Sequence, residues 1–298
     1  MAPGPLLSVR PMKEFLKYLL AAGLLLLSLP VLLTAVCSGR EAVTLEKETD
    51  PEMLLPSMVY REIPREAHRE LLRAQAILVR SRVCRSLKEP EALADLLREN
   101  VEYEQQVLMD ESLLRRCREA VSDTQGQVLI SGGTLVEGSW FVCGNGKTRN
   151  GAEAAGQEEC GWMVSVDSPA DVESPDYLSE FVFSEEELRE LLGEYLEHAA
   201  PGEVFQQIFP GGTDSAGYVT EVSVGTARLS GENFRKRLGL PSSCFTMQEG
   251  EDGLHFLCQG KGHGLGMSQY GAERMAQEGK TAEEILKYYF PNAQVGTV

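Results

Sequence analysis

Hydrophobic residues recur along this chain in three rhythms, and each predicts a different kind of element. The first is unbroken. Residues 18–38 carry no charge and run through Leu19-Leu20-Ala21-Ala22-Gly23-Leu24-Leu25-Leu26-Leu27, long enough at about 1.5 Å per residue to cross roughly 30 Å of hydrocarbon. Arg10, Lys13 and Lys17 precede it. The expectation is a single-pass transmembrane anchor, with 1–17 cytoplasmic and the bulk of the chain extracytoplasmic at the cell membrane. A cleaved signal peptide is the alternative, but the stretch exceeds an ordinary signal core and no clear small-x-small site follows it. Residues 39–52 are polar and charged and read as a linker, leaving 53–298 as the folded domain.

The second rhythm is helical. Ala67, Leu71, Ala74 and Leu78 recur at i, i+4, i+7 and i+11, which predicts a helix over 65–88 with Pro64 at its first turn. An acidic, amphipathic zone over 90–120 predicts a hairpin of helices. Ser184 followed by Glu185-Glu186-Glu187 is a capping box that opens a helix over 184–198, and two short helices are expected over 268–278 and 281–289. The third rhythm is short and strand-like, over 127–131, 140–142, 161–166, 177–183 and 218–224, between glycine turns. These strands are too irregularly spaced for a doubly wound parallel sheet, so the domain is read as α+β, a mixture of helices and short strands.

Charge and cysteine narrow the function classes. With 28 Lys and Arg against 45 Asp and Glu, the net charge of −17 argues against nucleic acid, because binding a polyanion needs clustered cations. Of seven cysteines, Cys244 and Cys258 are symmetric about Glu251 in a predicted hairpin and would face each other across it; a disulfide and two core thiols are both compatible with that. Cys84 with Cys117, and Cys143 with Cys160, are weaker candidate pairs. His255 lies near Cys258, but the spacing fits none of the usual zinc patterns, and no metal or cofactor is expected.

Two segments could carry chemistry. In Gly260-Lys261-Gly262-His263-Gly264-Leu265-Gly266-Met267-Ser268-Gln269-Tyr270, glycines let a ligand approach the backbone, while His263, Ser268, Gln269 and Tyr270 offer hydrogen-bonding groups without a fixed charge. Such a surface suits a sugar. In the other, Glu62-Ile63-Pro64 leads into Arg73-Ala74-Gln75-Ala76-Ile77-Leu78-Val79-Arg80-Ser81. Gln75 lies among apolar neighbours and needs a partner there, as a satisfied core glutamine or a site residue. Arg80 is placed near the site, anchoring Glu62 or another carboxylate or touching a sugar. Glu62 reads either as a surface acid at a helix start, where the helix dipole favours a carboxylate, or as a general acid, which needs a raised pKa. Ordinary glycosidases use two carboxylates, and no clear second one stands out.

Both segments resemble the signatures of the stage II sporulation protein D family, a Glu-x-Pro with a following Lys-Ala-Gln-Ala-x-x-x-Arg-Thr helix and the glycine–histidine run. Arg73 stands where lysine is usual, and Ser81 where threonine is usual. Residues 144–149 and 229–242 are fainter echoes, and Phe141 occupies a place where many relatives carry histidine. The resemblance implies a membrane-anchored lytic transglycosylase that cuts the MurNAc–GlcNAc bond of peptidoglycan to a 1,6-anhydro product during engulfment. It assigns Glu62 as acid and then base, and Gln75, Arg80, His263, Ser268, Gln269 and Tyr270 to binding the glycan. It further implies strands already stripped of stem peptides as substrate, and as partners the amidase stage II sporulation protein P and the membrane protein stage II sporulation protein M. A non-catalytic glycan-binding activator of an amidase, similar to the amidase-enhancer members, is the alternative, and a scaffold of the engulfment complex is a third reading.

Overall fold

Leu55, Met58 and Val59, three and four residues apart, bury one face of a short helix, α1 (Leu55–Glu62), which the rhythm beyond Pro64 does not announce. The computed structural model describes residues 51–155, 160–196 and 199–298, and Leu54–Val298 form one compact unit. The expected membrane span is corrected here. Among the described residues no helix is long and apolar enough to cross a membrane; the 18–38 stretch lies outside them, and the single-pass anchor and membrane location are withdrawn.

Ile63, forced extended (φ −112°, ψ 145°) by the proline after it, ends α1. The chain turns through an Ala67 N–H to Pro64 carbonyl bond of 3.1 Å, and His68 caps α2 (Arg69–Ser86) by accepting from the Glu70 N–H. The long helix therefore starts at Arg69, four residues later than expected. It is buried on nearly every side, as befits the central strut of a helical lobe. Within the 90–120 zone Asp110 breaks the pattern: it accepts from the Leu113 N–H at 2.9 Å and separates α3 (Pro90–Gln106) from α4 (Glu111–Asp123).

The C-terminal segment completes this lobe. Strand β1 (Gln127–Ser131) pairs with β2 (Thr134–Leu135) and with the last strand, β11 (Gln294–Thr297). Strand β3 (Trp140–Phe141) runs parallel to β10 (Met267–Ser268). Helices α8 (Gln269–Gln277) and α9 (Ala282–Tyr289) follow, capped by Ser268 and by a Thr281/Glu284 capping box. Leu71 and Ile77 thus share one core with Met267, Ala272, Ile285 and Phe290.

A second core lies in the middle of the chain. Short helix α5 (Gly151–Ala155) precedes it. Helices α6 (Glu185–Leu196) and α7 (Gly231–Leu238) pack with two sheets, β4 (Leu178–Phe183) with β9 (Leu254–Gln259) and β8 (Phe245–Glu249), and β5 (Ile208–Thr213) with β6 (Val219–Val224) and β7 (Ala227–Ser230). The expected strand over 161–166 is absent; its backbone braces a loop instead, through Thr148 N–H to Val166 O (2.8 Å) and Gly151 N–H to Met163 O (2.7 Å). In the β8–β9 hairpin Phe245 stands opposite Cys258, so Cys244 meets Gln259, with its thiol 3.7 Å from Oε1. A one-residue offset puts two side chains on opposite faces, and no disulfide joins this pair; among the described residues Cys117, Cys143, Cys160, Cys244 and Cys258 are thiols.

Arg80 is in the helical core, 1% exposed. Its guanidinium donates to the Val121 carbonyl (2.9 Å), the Gln127 carbonyl and the Thr124 hydroxyl (both 3.2 Å), closing the C-terminal end of α4 where carbonyls lack helical partners. The glycine run crosses from the second core to the first, and Gly266 shows why it must be glycine. Its φ is +79°, and a Cβ there would lie 2.1 Å from the Ser139 carbonyl oxygen.

Two stability predictions follow from these contacts. Arg80→Met leaves buried carbonyls unpaired and should lower unfolding free energy by about 2–4 kcal/mol in urea titrations. Gly279 has φ +88° with open space around it, so Gly279→Ala should cost only the left-handed strain of about 1–2 kcal/mol. Gly266→Ala, which adds a backbone clash, should cost clearly more; equal costs would remove the packing argument.

Candidate active site

Glu62 is the last residue of α1, so its carboxylate stands at the carbonyl end of a helix rather than at the N–H end expected from sequence. Arg61 holds it from one side, with Nε 3.0 Å and Nη2 2.9 Å from Oε1, and reaches Glu99 at 3.6 Å. The carboxylate keeps 27% exposure. It opens into a cleft of about 620 Å³ whose wall includes Trp140, Phe141, Lys261, His263 and Gln269. Glu62 is the only acid among the described lining residues, and Arg61, Arg235 and Lys261 are its cations, an inversion of the charge balance of the whole chain.

His263 is shaped by its own turn. Its Nδ1 accepts from the Leu265 N–H at 3.1 Å, so the neutral ring carries its proton on Nε2. The ring meets Phe141 edge-on with centroids 6.0 Å apart. Burial holds the imidazole down to about 4, with Arg235, Arg149 and Arg82 pushing the same way against Glu232. At neutral pH it is an uncharged hydrogen-bond donor.

Gln269 ties the two signature segments together. Its Nε2 donates to the Glu62 carbonyl at 2.5 Å and to Gln75 Oε1 at 3.3 Å. Gln75 is fully buried behind it, and its own Nε2 has no hydrogen-bond partner. Gln75 therefore stands behind the cleft wall, one contact removed from it.

Other expected residues fall elsewhere. Ser268 is buried and turned from the cleft: Oγ donates to Asp171 Oδ1 at 2.5 Å and accepts from the Gly271 N–H at 3.1 Å. Tyr270 lines a neighbouring cavity of about 350 Å³, which shares Val142 and Gln269 with the cleft, and donates to the Glu173 carbonyl at 3.1 Å. Arg80 is in the helical core, not near Glu62 as expected.

Sequence reasoning passed over Arg61, Trp140, Lys261 and Arg235 as site residues. Three had a signal, since Arg61 adjoins Glu62, Lys261 lies inside the glycine run, and Arg235 lies within the fainter echo over 229–242. Asp171 had none. It is fully buried, accepts from the Gly144 N–H at 2.7 Å as well as from Ser268, and burial raises its carboxyl against those bonds. Among the described residues no group of three or more His, Cys, Asp or Glu side chains is arranged to hold a metal.

A family model described as stage II sporulation protein matches residues 40–130. Stage II sporulation protein D of Bacillus subtilis (strain 168) is 33% identical over 253 residues, covering 80% of this chain and 72% of that protein. The protein of the same name from Bacillus amyloliquefaciens is 30% identical over 261 residues, with the same two coverages, 80% and 72%. The amidase enhancer of Bacillus subtilis (strain 168) is 36% identical over 76 residues, 24% of this chain and 10% of that protein. The chain belongs to the stage II sporulation protein D family, and with it to sporulation.

Proposed function

We propose that this chain is a lytic transglycosylase that cuts the MurNAc–GlcNAc bond of peptidoglycan strands, with Glu62 as the acid and base. The observation that carries this reading is a cleft in which Glu62 is the one carboxylate among the described lining residues, beside a neutral donor, His263. Hydrolysis with inversion or retention uses two carboxylates. A transglycosylase uses one. Protonated Glu62 gives its proton to the glycosidic oxygen as the C1–O bond breaks. The C6 hydroxyl of the same MurNAc then bonds to C1, closing the 1,6-anhydro ring, and its proton returns to the Glu62 carboxylate. The nucleophile is already on the substrate, which removes much of the entropic cost of bringing one in.

His263 Nε2–H and the Gln269 amide bind and orient the sugar, and Trp140 and Phe141 give its apolar faces a wall. Lys261 and Arg235 suit a strand whose lactyl carboxylates are free of peptide. That substrate would follow an amidase, with stage II sporulation protein P as the amidase and stage II sporulation protein M as the membrane partner. The match to an amidase enhancer favours one second reading, a glycan-binding activator of an amidase without chemistry of its own.

Incubation of the purified chain with peptide-free glycan strands should yield 1,6-anhydromuramyl ends by mass spectrometry. Glu62→Gln should lower their yield at least about 10²-fold, the reach of general acid–base catalysis. Wild-type protein that binds strands or accelerates an amidase, yet makes no such ends, would move the assignment to the activator. Reducing ends without the anhydro ring would mean hydrolysis instead.

The depressed His263 also fixes a pH dependence of stability. Below about pH 6.5 the unfolded chain takes up a proton on this residue, whereas the folded chain does so only near 4. Stability from His263 is thus complete above that window, is lost as pH falls through it, and levels off below about 4. Urea titrations should show this slope in wild type and its loss in His263→Gln.

A further inference from the structure

We propose that Arg149 is a positioning residue for this site: its side chain and backbone together hold the 263–265 turn so that His263 presents Nε2–H to the cleft. Arg149 lies outside the two signature segments, in a loop joined to β3, and its side chain is 4% exposed. From there it grips the glycine run at two points. Its N–H donates to the Gly264 carbonyl at 2.7 Å, part of a parallel bridge in register with Leu265, and Nη1 donates to the His263 carbonyl at 3.2 Å. The Leu265 N–H that sets the His263 tautomer shares a peptide plane with the Gly264 carbonyl, so the residue that holds the His263 carbonyl also fixes that plane.

The guanidinium is itself fixed from below. Nε donates to Asp214 Oδ2 at 2.6 Å, and Nη1 lies 3.6 Å from Glu232 Oε1. The other oxygen of Asp214 accepts from the Ala216 and Tyr218 N–H groups at 3.0 and 2.9 Å, and the Tyr218 ring lies 4.9 Å from the guanidinium carbon. Tyr218 also occupies the space where a side chain at Gly264 would be, within 2.5 Å of a Cβ there. Only a planar fork with several fixed donors can serve Asp214 and the His263 carbonyl at once; the lysine ammonium is a point charge. A buried cation beside an imidazole also disfavours its protonation, and Arg149 acts on His263 in that sense.

Other charges face His263 and belong in the test. Glu232 and Arg235 come from α7 and Arg82 from α2; Glu62, Arg61 and Lys261 line the same cleft. Of these only Glu232 touches Arg149, and it keeps Arg235 and Ser243 when Arg149 is replaced, so a change in the imidazole reports Arg149 together with the carboxylate beside it.

The test is ¹H–¹⁵N NMR of the histidine side chains of the full chain, with His263 identified among the four histidines by loss of its signals in His263→Gln. Wild type should show one tautomer, Nε2–H, down to about pH 4. Arg149→Met should mix the tautomers and move the His263 titration upward. Arg149→Lys, which keeps the charge but not the fork, should mix the tautomers and leave the titration near wild type. Turnover of glycan strands should fall about 10²-fold in both, with KM little changed. A single Nε2–H tautomer persisting in either folded variant overturns the proposal, and Arg149→Lys decides the matter if Arg149→Met fails to fold. The inference rests on His263 as a sugar-facing donor, but the NMR needs no substrate. Absence of anhydro products in wild type would defeat the transglycosylase reading and leave the Arg149 result standing on its own.

Discussion

One hydrogen bond holds the candidate site in register: the Gln269 side chain donating to the carbonyl of Glu62, 207 residues away in sequence. Glu62 ends α1 and Gln269 begins α8, so the bond joins the two helix ends that flank the cleft. It can form only because the N-terminal and C-terminal segments share a hydrophobic core, in which Leu71 and Ile77 of α2 pack with Met267, Ala272 and Ile285. Burying such side chains contributes roughly 1.5–3 kcal/mol each, whereas a single buried hydrogen bond contributes about 1 kcal/mol. Apolar packing brings the segments together, and the amide then selects one relative placement of the acid and the glycine run. Gln75, buried behind, accepts the second Gln269 proton and keeps the amide from turning.

Electrostatics divides labour within the cleft. The chain as a whole is strongly acidic, yet among the described residues of the wall Glu62 is the one acid, with Arg61, Arg235 and Lys261 around it. Such a local excess of positive charge favours an anionic or polar ligand and weakens with salt. Burial first, and then Arg235 with Arg149 and Arg82, suppress a charge on His263. An imidazole held neutral in this way donates a hydrogen bond without competing to protonate a leaving group.

Local chemistry was legible in the sequence, and long-range register was not. The capping box at Ser184 was readable because both of its partners lie within three residues of each other. The early helix start at Pro64 failed because a proline fits a first turn yet also forces its predecessor to extend, and here His68 offered a later cap. The expectation that Cys244 and Cys258 face each other across the hairpin failed for a subtler reason. The hairpin turn is closed by Gly250 N–H to the Gly253 carbonyl at 2.8 Å, so its centre falls between Glu251 and Asp252 rather than on Glu251, and every cross-strand partner moves by one.

Within the site, legibility followed the same division. Glu62, His263 and Gln269 share the cleft, while Ser268 and Tyr270, adjacent to Gln269 in sequence, point elsewhere because a helix begins there. At a helix N-terminus the capping side chain turns back to the free N–H groups, which commits the Ser268 hydroxyl to Gly271 and Asp171. A polar Ser-Gln-Tyr triplet at a helix start therefore offers one side chain to the cleft, not three. Arg80 shows the opposite case, a charged residue in a signature motif whose work is to close the end of a neighbouring helix. Such a motif records the residues that build the cleft's supports together with those that line it, and only three-dimensional placement separates them.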